Sequence, residues 1–380
     1  MSPEHLAGPG AESRAQRTYN AHAGGAADEG RGRDGMTEAL QSAQHEVADG
    51  FEANELFQRN GWTDGLPIVP PTEAGVRRFL DAAGLAAGAV VGVEPVRRRR
   101  ITAEKVAIAT LMAGGLPEYV PVVVAVVRAM CEPEFGLHGC TASTGGSAPF
   151  VVVNGPVRKT LGMNATHNAL GNGNRANATI GRAIRLLLVN VLGGIPGQLD
   201  RSTLGHPGKF TLCVAEDEED SAWVPLATER GLPPGSSAVT VLAVESPHQI
   251  MNEWTHDPAE IAETYAAAIR ANMLTYSIWA GNYAIVVPKQ HRQIFAEARW
   301  SKRDLRERIH ARARVTRREW RTVGKGAVAP RKNEDEVYTA LRSADDLLVV
   351  AAGGPAGGFG AILPPWYGRK SLAVTKGVDA

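Results

Sequence analysis

His138 and Cys140 stand two residues apart in HGCTASTGGSAP, His138 to Pro149. A thiol beside an imidazole can ionise to a nucleophilic thiolate, or the pair can give a metal two ligands. One His and one Cys complete neither a triad nor a metal shell, and the same text also fits a small buried cysteine in a tight turn. Five carboxylates, Glu216 to Asp220, follow directly on the apolar run KFTLCVA. Strand alternation puts Glu216 and Glu218 on one face. Glu216, nearest the strand end, is the candidate general base, and the others read as a solvated loop. In LGNGNRANATIGRAIRL, Leu170 to Leu186, Asn172, Asn174 and Asn177 alternate with small residues, and Arg175 and Arg182 add planar forks. Such a loop opening a helix suits a carboxylate or phosphate, although its side chains can equally cap one another. GGPAGGFG, Gly353 to Gly360, follows the apolar run LLVVAA and includes Gly357 and Gly358. Its backbone N–H groups can cradle an anion, or the loop can act as a lid.

The elements that must hold these loops alternate between β and α text. FVVVNGP, AIVVPKQH and LLVVAAGGPAGG each read as an apolar strand, a Pro/Gly turn and a shaped loop or helix. Thr72 predicts an N-cap for a helix through Ala83, and VPVVVAVVRAM (120–130) reads as a buried helix. A helix is expected from Ala176 to Leu192, closed by Gly193 and Gly194. Alternation of this kind predicts an α/β fold with mixed or parallel sheets flanked by helices and Gly/Asn-rich site loops. Three divisions are expected: a tail over 1–50, an α/β unit over 51–245 and a second over 246–380. The tail carries 8 Asp/Glu, 4 Arg, 8 Gly and 10 Ala, which offers little to bury. A short helix is expected between Thr37 and Asn60, anchored by Phe51, Leu56 and Phe57.

Composition removes several classes. With 41 Lys+Arg and 40 Asp+Glu the formal charge is +1, so bulk charge does not recruit nucleic acid. From Arg299 to Lys332 the balance is 13 basic to 3 acidic residues, a solvated helix face or a surface for an acidic partner. No run of 18 uncharged apolar residues predicts a membrane span, and no apolar leader is read at the N-terminus. Three cysteines suit a reducing cytoplasm. LGHPGKFT, Leu204 to Thr211, lacks the spacing and the hydroxyl of a phosphate loop, and no HExxH, GxSxG or CxxC occurs. No cofactor is required by these motifs; a metal is left open, with no ligand set assigned.

Taken in order, NGWTDGLPIVPPTEAGV, TAEKVAIATLMAGGLPEYVPVV, VVVNGP, GNGNRANATIGRAIRL, HPGKFTLCVAEDEEDSAW, RWSKRDLRERI and LLVVAAGGPAGGFGAILPPW resemble a largely uncharacterised bacterial family. Its members are associated with, and sometimes fused to, a small redox domain with a Sec/Cys-Gly-Ser-Cys motif, the UGSC-type selenoproteins. The resemblance covers residues 55–376. It implies site-forming roles for Asp64, Gly65, Pro67, Asn154, Gly155, Pro156, Arg175, Asn177, Gly181, Arg182, Glu216 and Trp223. It also implies an oligomer with a thiol- or selenol-bearing subunit, because this chain lacks the Cys-Gly-Ser-Cys motif itself. The expected function is an enzyme or enzyme subunit acting on a small anionic substrate, by lyase-type or thiol-dependent carbon–heteroatom chemistry. A non-catalytic subunit of a redox partner and a small-molecule-binding protein are the alternatives.

Overall fold

The computed structural model describes residues 17–21, 39–329, 333–368 and 370–379. Its centre is two four-stranded mixed sheets. In the first, the order is Val374–Gly377, Ala238–Val244, Ala148–Asn154, Cys213–Ala215. In the second it is His248–Met251, Phe359–Leu363, Tyr283–Val287, Leu347–Ala351. Each sheet has a parallel pair at one edge, 148–154 with 213–215 and 283–287 with 347–351. Each is completed by two antiparallel neighbours. The two sheets therefore repeat one plan.

The repeat is interlocked. After Val244 the chain leaves the first sheet and pairs His248–Met251 with the second. After Leu363 it leaves the second, touches Val244 through Pro365, and ends on the first sheet as Val374–Gly377. The expected split at 245/246 falls at the first of these crossings; the second sheet is built from the continuous segment 248–363, but the C-terminal strand then returns, so the first sheet is not built from one continuous segment.

Strand alternation divides the burial. Val151, Val153, Val239 and Val241 face the helices Ala103–Met112, Val120–Met130 and Arg175–Asn190. Ile285, Val287, Leu347 and Val349 face Pro258–Thr275 and Lys302–Arg312. Phe150, Val152, Leu242, Val286, Leu348 and Val350 fill the space between the sheets. The result is four layers, helices–sheet–sheet–helices, and a strand buried on both faces reads as the continuous apolar runs seen in the sequence. The α/β expectation holds.

Local expectations hold where capping and periodicity agree. The helix Glu73–Ala82 begins after Thr72, whose hydroxyl accepts from Gly75 N–H, and 120–130 is helical with nine buried residues. The 37–60 helix is shorter than expected: it spans Gly50–Arg59, because the Asp49 carboxylate caps it by accepting from Glu52 N–H. Ala43–Val47, inside the expected tail, is a strand paired with Arg17–Ala21. The rest of that tail, 1–16 and 22–38, lies outside the described residues. No helix among the described residues is long and apolar enough to cross a membrane.

Candidate active site

The residues singled out from sequence separate into three places. Glu216, on the strand end where it was expected, is 1 % exposed and held from several sides. Asn154 Nδ2 and Leu226 N–H each donate to its Oε2 at 2.6 Å, and Lys302 Nζ reaches Oε1 at 2.9 Å. Asn154 Nδ2 also donates to Glu218 at 2.8 Å, so the two carboxylates do share a face. Arg158 closes this cluster on Glu218 and Glu219. A carboxylate engaged in this way ties the ends of the two sheets together, with Ala351 N–H also donating to its Oε1 at 3.4 Å, and Glu216 is not among the residues lining the cavities described below. Trp223 donates through Nε1 to Trp300 carbonyl and packs on Phe295, away from Glu216's oxygens.

The Asn/Gly segment behaves as the capping alternative described. Asn174 caps the helix Arg175–Asn190 by accepting from Asn177 N–H, and its Nδ2 donates to Gly162 carbonyl at 2.8 Å. Asn177 is buried and exchanges hydrogen bonds with the backbone of Asn164. Arg175 donates to the carbonyls of Gly114 and Gly115. Arg182 forms a bidentate pair with Asp64, both contacts 2.8 Å, and donates to Pro67 carbonyl. Burial alone would raise the Asp64 carboxyl; Arg182 outweighs that and holds it below its ordinary value. These forks pin the GWTDGLP segment and neighbouring turns onto the helix, which removes Arg175 and Arg182 as free anion anchors. The preceding loop, Thr166–Gly171, does share a cleft of about 500 Å³ with Ala352–Gly354 and Gly357. Gly358 N–H is taken by Glu253.

His138 and Cys140 share no hydrogen bond with each other among the described residues. Cys140 is 6 % exposed and its thiol donates to Leu137 carbonyl. Burial pushes that thiol up to about 12, so thiolate is scarce at neutral pH. His138 Nδ1 is buried with no hydrogen-bond partner among the described residues. No cluster of three or more metal-type ligands occurs among the described residues.

The site that the fold does build lies beside these, in a cavity of about 730 Å³ between the helix Arg175–Asn190 and the loop that follows it. Asp64 and Gly65 form part of its wall, and Arg185, Asp200, Ser202, His206 and Lys209 project from helix and loop. Lys209 Nζ donates to Asp200 Oδ2 at 2.6 Å and to Ser202 Oγ at 2.7 Å. Ser202 Oγ lies 2.6 Å from Asp200 Oδ1 and 3.0 Å from Gly145 carbonyl, and can donate to one of them. Burial would raise Asp200; the bonds from Lys209 and Ser202 prevail and hold it below its ordinary value. His206 is pushed down to about 4, first by burial and then by Lys209 and Arg185, so it is neutral at pH 7. Its Nδ1 accepts from Gly208 N–H, which leaves the ring proton on Nε2, near the Gly146 and Val244 carbonyls but without a well-aligned bond.

Arg185 is the exception among the buried cations. Arg158, Arg292 and Lys302 each meet a carboxylate. Arg185, 9 % exposed, meets none within 4.0 Å among the described residues. Its Nε donates to Lys209 carbonyl. Its two terminal nitrogens have no hydrogen-bond partner there, and the residue lines the cavity. Burial lowers its pKa, with Asp200 as the main opposing charge. The terminal nitrogens of this guanidinium therefore open onto the cavity with no carboxylate of the described residues against them, and a planar fork of this kind matches a carboxylate or phosphate.

The opposite half of the chain braces this site. Tyr276 Oη donates to the buried Glu245 at 2.6 Å, and Trp366 Nε1 donates to Ser143 Oγ at 2.6 Å. Trp366 thereby holds the Ser143–Ser147 loop directly, while Tyr276 and Glu245 lie against its Gly145, and a Cβ on Gly146 would stand 2.8 Å from Gly205 Cα. Thr203 N–H donates to Thr144 carbonyl across the same gap.

No known family model matches this chain, and no curated protein matches it. The resemblance described above therefore rests on its motifs.

Sequence reasoning missed Arg185, Asp200, Ser202, His206 and Lys209. One signal was present: Arg185 is a lone charge inside the apolar helix text AIRLLLV. HPGK fails as a phosphate loop, but its Lys209 meets Asp200 and Ser202 across a short loop.

Proposed function

We propose that the chain is an enzyme, or the substrate-binding subunit of one, acting on a small anionic substrate in the Arg185 cavity. The observation that carries this is the buried guanidinium with no protein carboxylate, facing a cavity. Arg185 binds the substrate anion through its terminal nitrogens. Lys209, oriented by Asp200, and Ser202, which accepts from Lys209, supply a proton to a departing heteroatom, the need of lyase-type carbon–heteroatom cleavage. Cys140 takes no part. If a thiol or selenol is used, as the resemblance implies, a partner brings it to the mouth, where Leu204 and Phe210 stand exposed.

The test is incubation of the purified protein with a library of small carboxylates and phosphates, followed by mass spectrometry. Consumption of a library member that disappears in Lys209→Met, with binding lost in Arg185→Met, is the expected result. Binding and consumption unchanged in Arg185→Met would refute the reading.

A further inference from the structure

Three features of the cavity bear on what kind of anion it takes. The first is charge. Lys209 and Asp200 neutralise each other at 2.6 Å, and His206 is uncharged near pH 7. One positive charge, that of Arg185, is left over. A monoanion balances it, whereas a dianion would place a second negative charge near Asp200 without a free cation.

The second is shape at the anchor. Nε of Arg185 is occupied by Lys209 carbonyl, so the guanidinium presents its two terminal nitrogens end-on. That fork matches the two oxygens of a planar carboxylate. Lys209 has already committed donors to Asp200 and Ser202, which limits what it can give to a tetrahedral anion with three charged oxygens.

The third is the remainder of the wall. Val189 stands one helical turn from Arg185 and lines the same cavity, with Pro196, Leu204, Pro207 and Phe210 on the loop. Leu204 is 96 % exposed and Phe210 45 %, on the loop that also carries the polar groups. A volume of about 730 Å³ far exceeds what acetate or phosphate fills, and falls in the usual range for a drug-sized ligand. A polar anchor and large apolar side chains lining the same cavity fit an amphipathic ligand.

We infer that the Arg185 cavity selects a monocarboxylate with an apolar body, its carboxylate on the Arg185 fork and its body against Val189, Leu204 and Phe210. This rests on the anion-site reading above and narrows it to one substrate class. The chemistry then acts on a bond in or beside the body, within reach of Ser202 and Lys209.

Isothermal titration on the full chain separates the two claims, with phenylacetate, hexanoate, acetate, inorganic phosphate and neutral phenylacetamide as probes. Phenylacetate or hexanoate is expected to bind about tenfold or more tighter than acetate or phosphate, because apolar burial adds to the same head-group contact. Phenylacetamide is expected to lose most of that affinity. Arg185→Lys keeps the charge but loses the fork, and should weaken phenylacetate severalfold. Phe210→Ser, at an exposed position that tolerates a polar side chain, should weaken phenylacetate and leave acetate unchanged. Circular dichroism checks that each variant is folded. Phosphate or acetate binding as tightly as phenylacetate, with sensitivity to Arg185→Lys, overturns the substrate class while the anion site stands. If no probe binds, or if binding ignores both variants, the anion site and the substrate class fall together.

Discussion

Arg185 and Glu216 are both buried charges, and their partners give them opposite consequences on mutation. Glu216 is answered by Lys302, Asn154 and Leu226 N–H. Glu216→Ala strands the Lys302 ammonium and should cost about 3–5 kcal/mol in urea unfolding. Some of that is recovered because Glu229 also reaches Lys302 at 3.2 Å. Arg185→Met removes a mostly buried charge that has no carboxylate partner among the described residues, losing only the bond to Lys209 carbonyl. Its melting temperature should equal or exceed that of the parent while anion binding disappears; a large drop would show Arg185 to be structural. His206 adds a pH signature. Its folded pKa of about 4 lies below the ordinary 6.5, so the unfolded chain takes up the proton first. Stability therefore falls as pH drops from 6.5 toward 4. His206→Asn should flatten that part of the profile, and an unchanged slope would locate the proton elsewhere. Cys140, with its thiol pushed up to about 12, should resist iodoacetamide in the native protein at pH 7 and react after unfolding.

At the scale of elements, the helix Arg175–Asn190 and the loop 194–210 position nearly everything in the cavity. The helix owes its start to Asn174, and Asn174→Ala should cost about 1 kcal/mol, read as a modest fall in melting temperature with the cavity intact. Gly146→Ala is expected to act differently. Its Cβ would press on the Gly205 backbone at 2.8–3.2 Å, and the loop carrying Ser202, His206 and Lys209 must shift. Anion binding should weaken more than the roughly 1–3 kcal/mol of overpacking destabilisation implies. Equal ligand affinity in the alanine variant would show that the loop's position is not critical. These elements were legible in unequal measure. Thr72, the 120–130 helix and the strand runs follow from local caps and periodicity, which the sequence displays directly. The cavity does not, because Arg185, Asp200, Ser202 and Lys209 meet only through the fold of one loop onto a helix. Arg175 and Arg182 looked the better anchors for the same reason: their partners, Gly114 carbonyl and Asp64, are 61 and 118 residues away.

At the scale of the whole molecule, the C-terminal strand Val374–Gly377 returns to the first sheet, and the site sits where one half's Tyr276 and Trp366 brace the other half's glycine loop. Deleting residues 371–380 removes the strand paired to Ala238–Val244 and the bond from Ala373 N–H to Asn282. Calorimetry should then show one lowered cooperative transition, because the returning strand links the sheets; an unaltered transition for one half would contradict that link. The basic stretch 299–332 is largely answered within the chain. Arg306 pairs with Glu229, Arg312 with Glu263, Arg317 and Arg321 with Glu334, and Arg318 with Asp335. Its charge excess therefore gives little reason to invoke an acidic partner. Among the buried cations of the described residues, the guanidinium left without a carboxylate is that of Arg185. A crystal structure of the full chain grown with phenylacetate tests that most directly. The ligand's carboxylate should lie on the two terminal nitrogens of Arg185. Phenylacetate seated instead in the cleft between Thr166–Gly171 and the 352–361 loop, with Arg185 paired to a carboxylate of the protein, would contradict it.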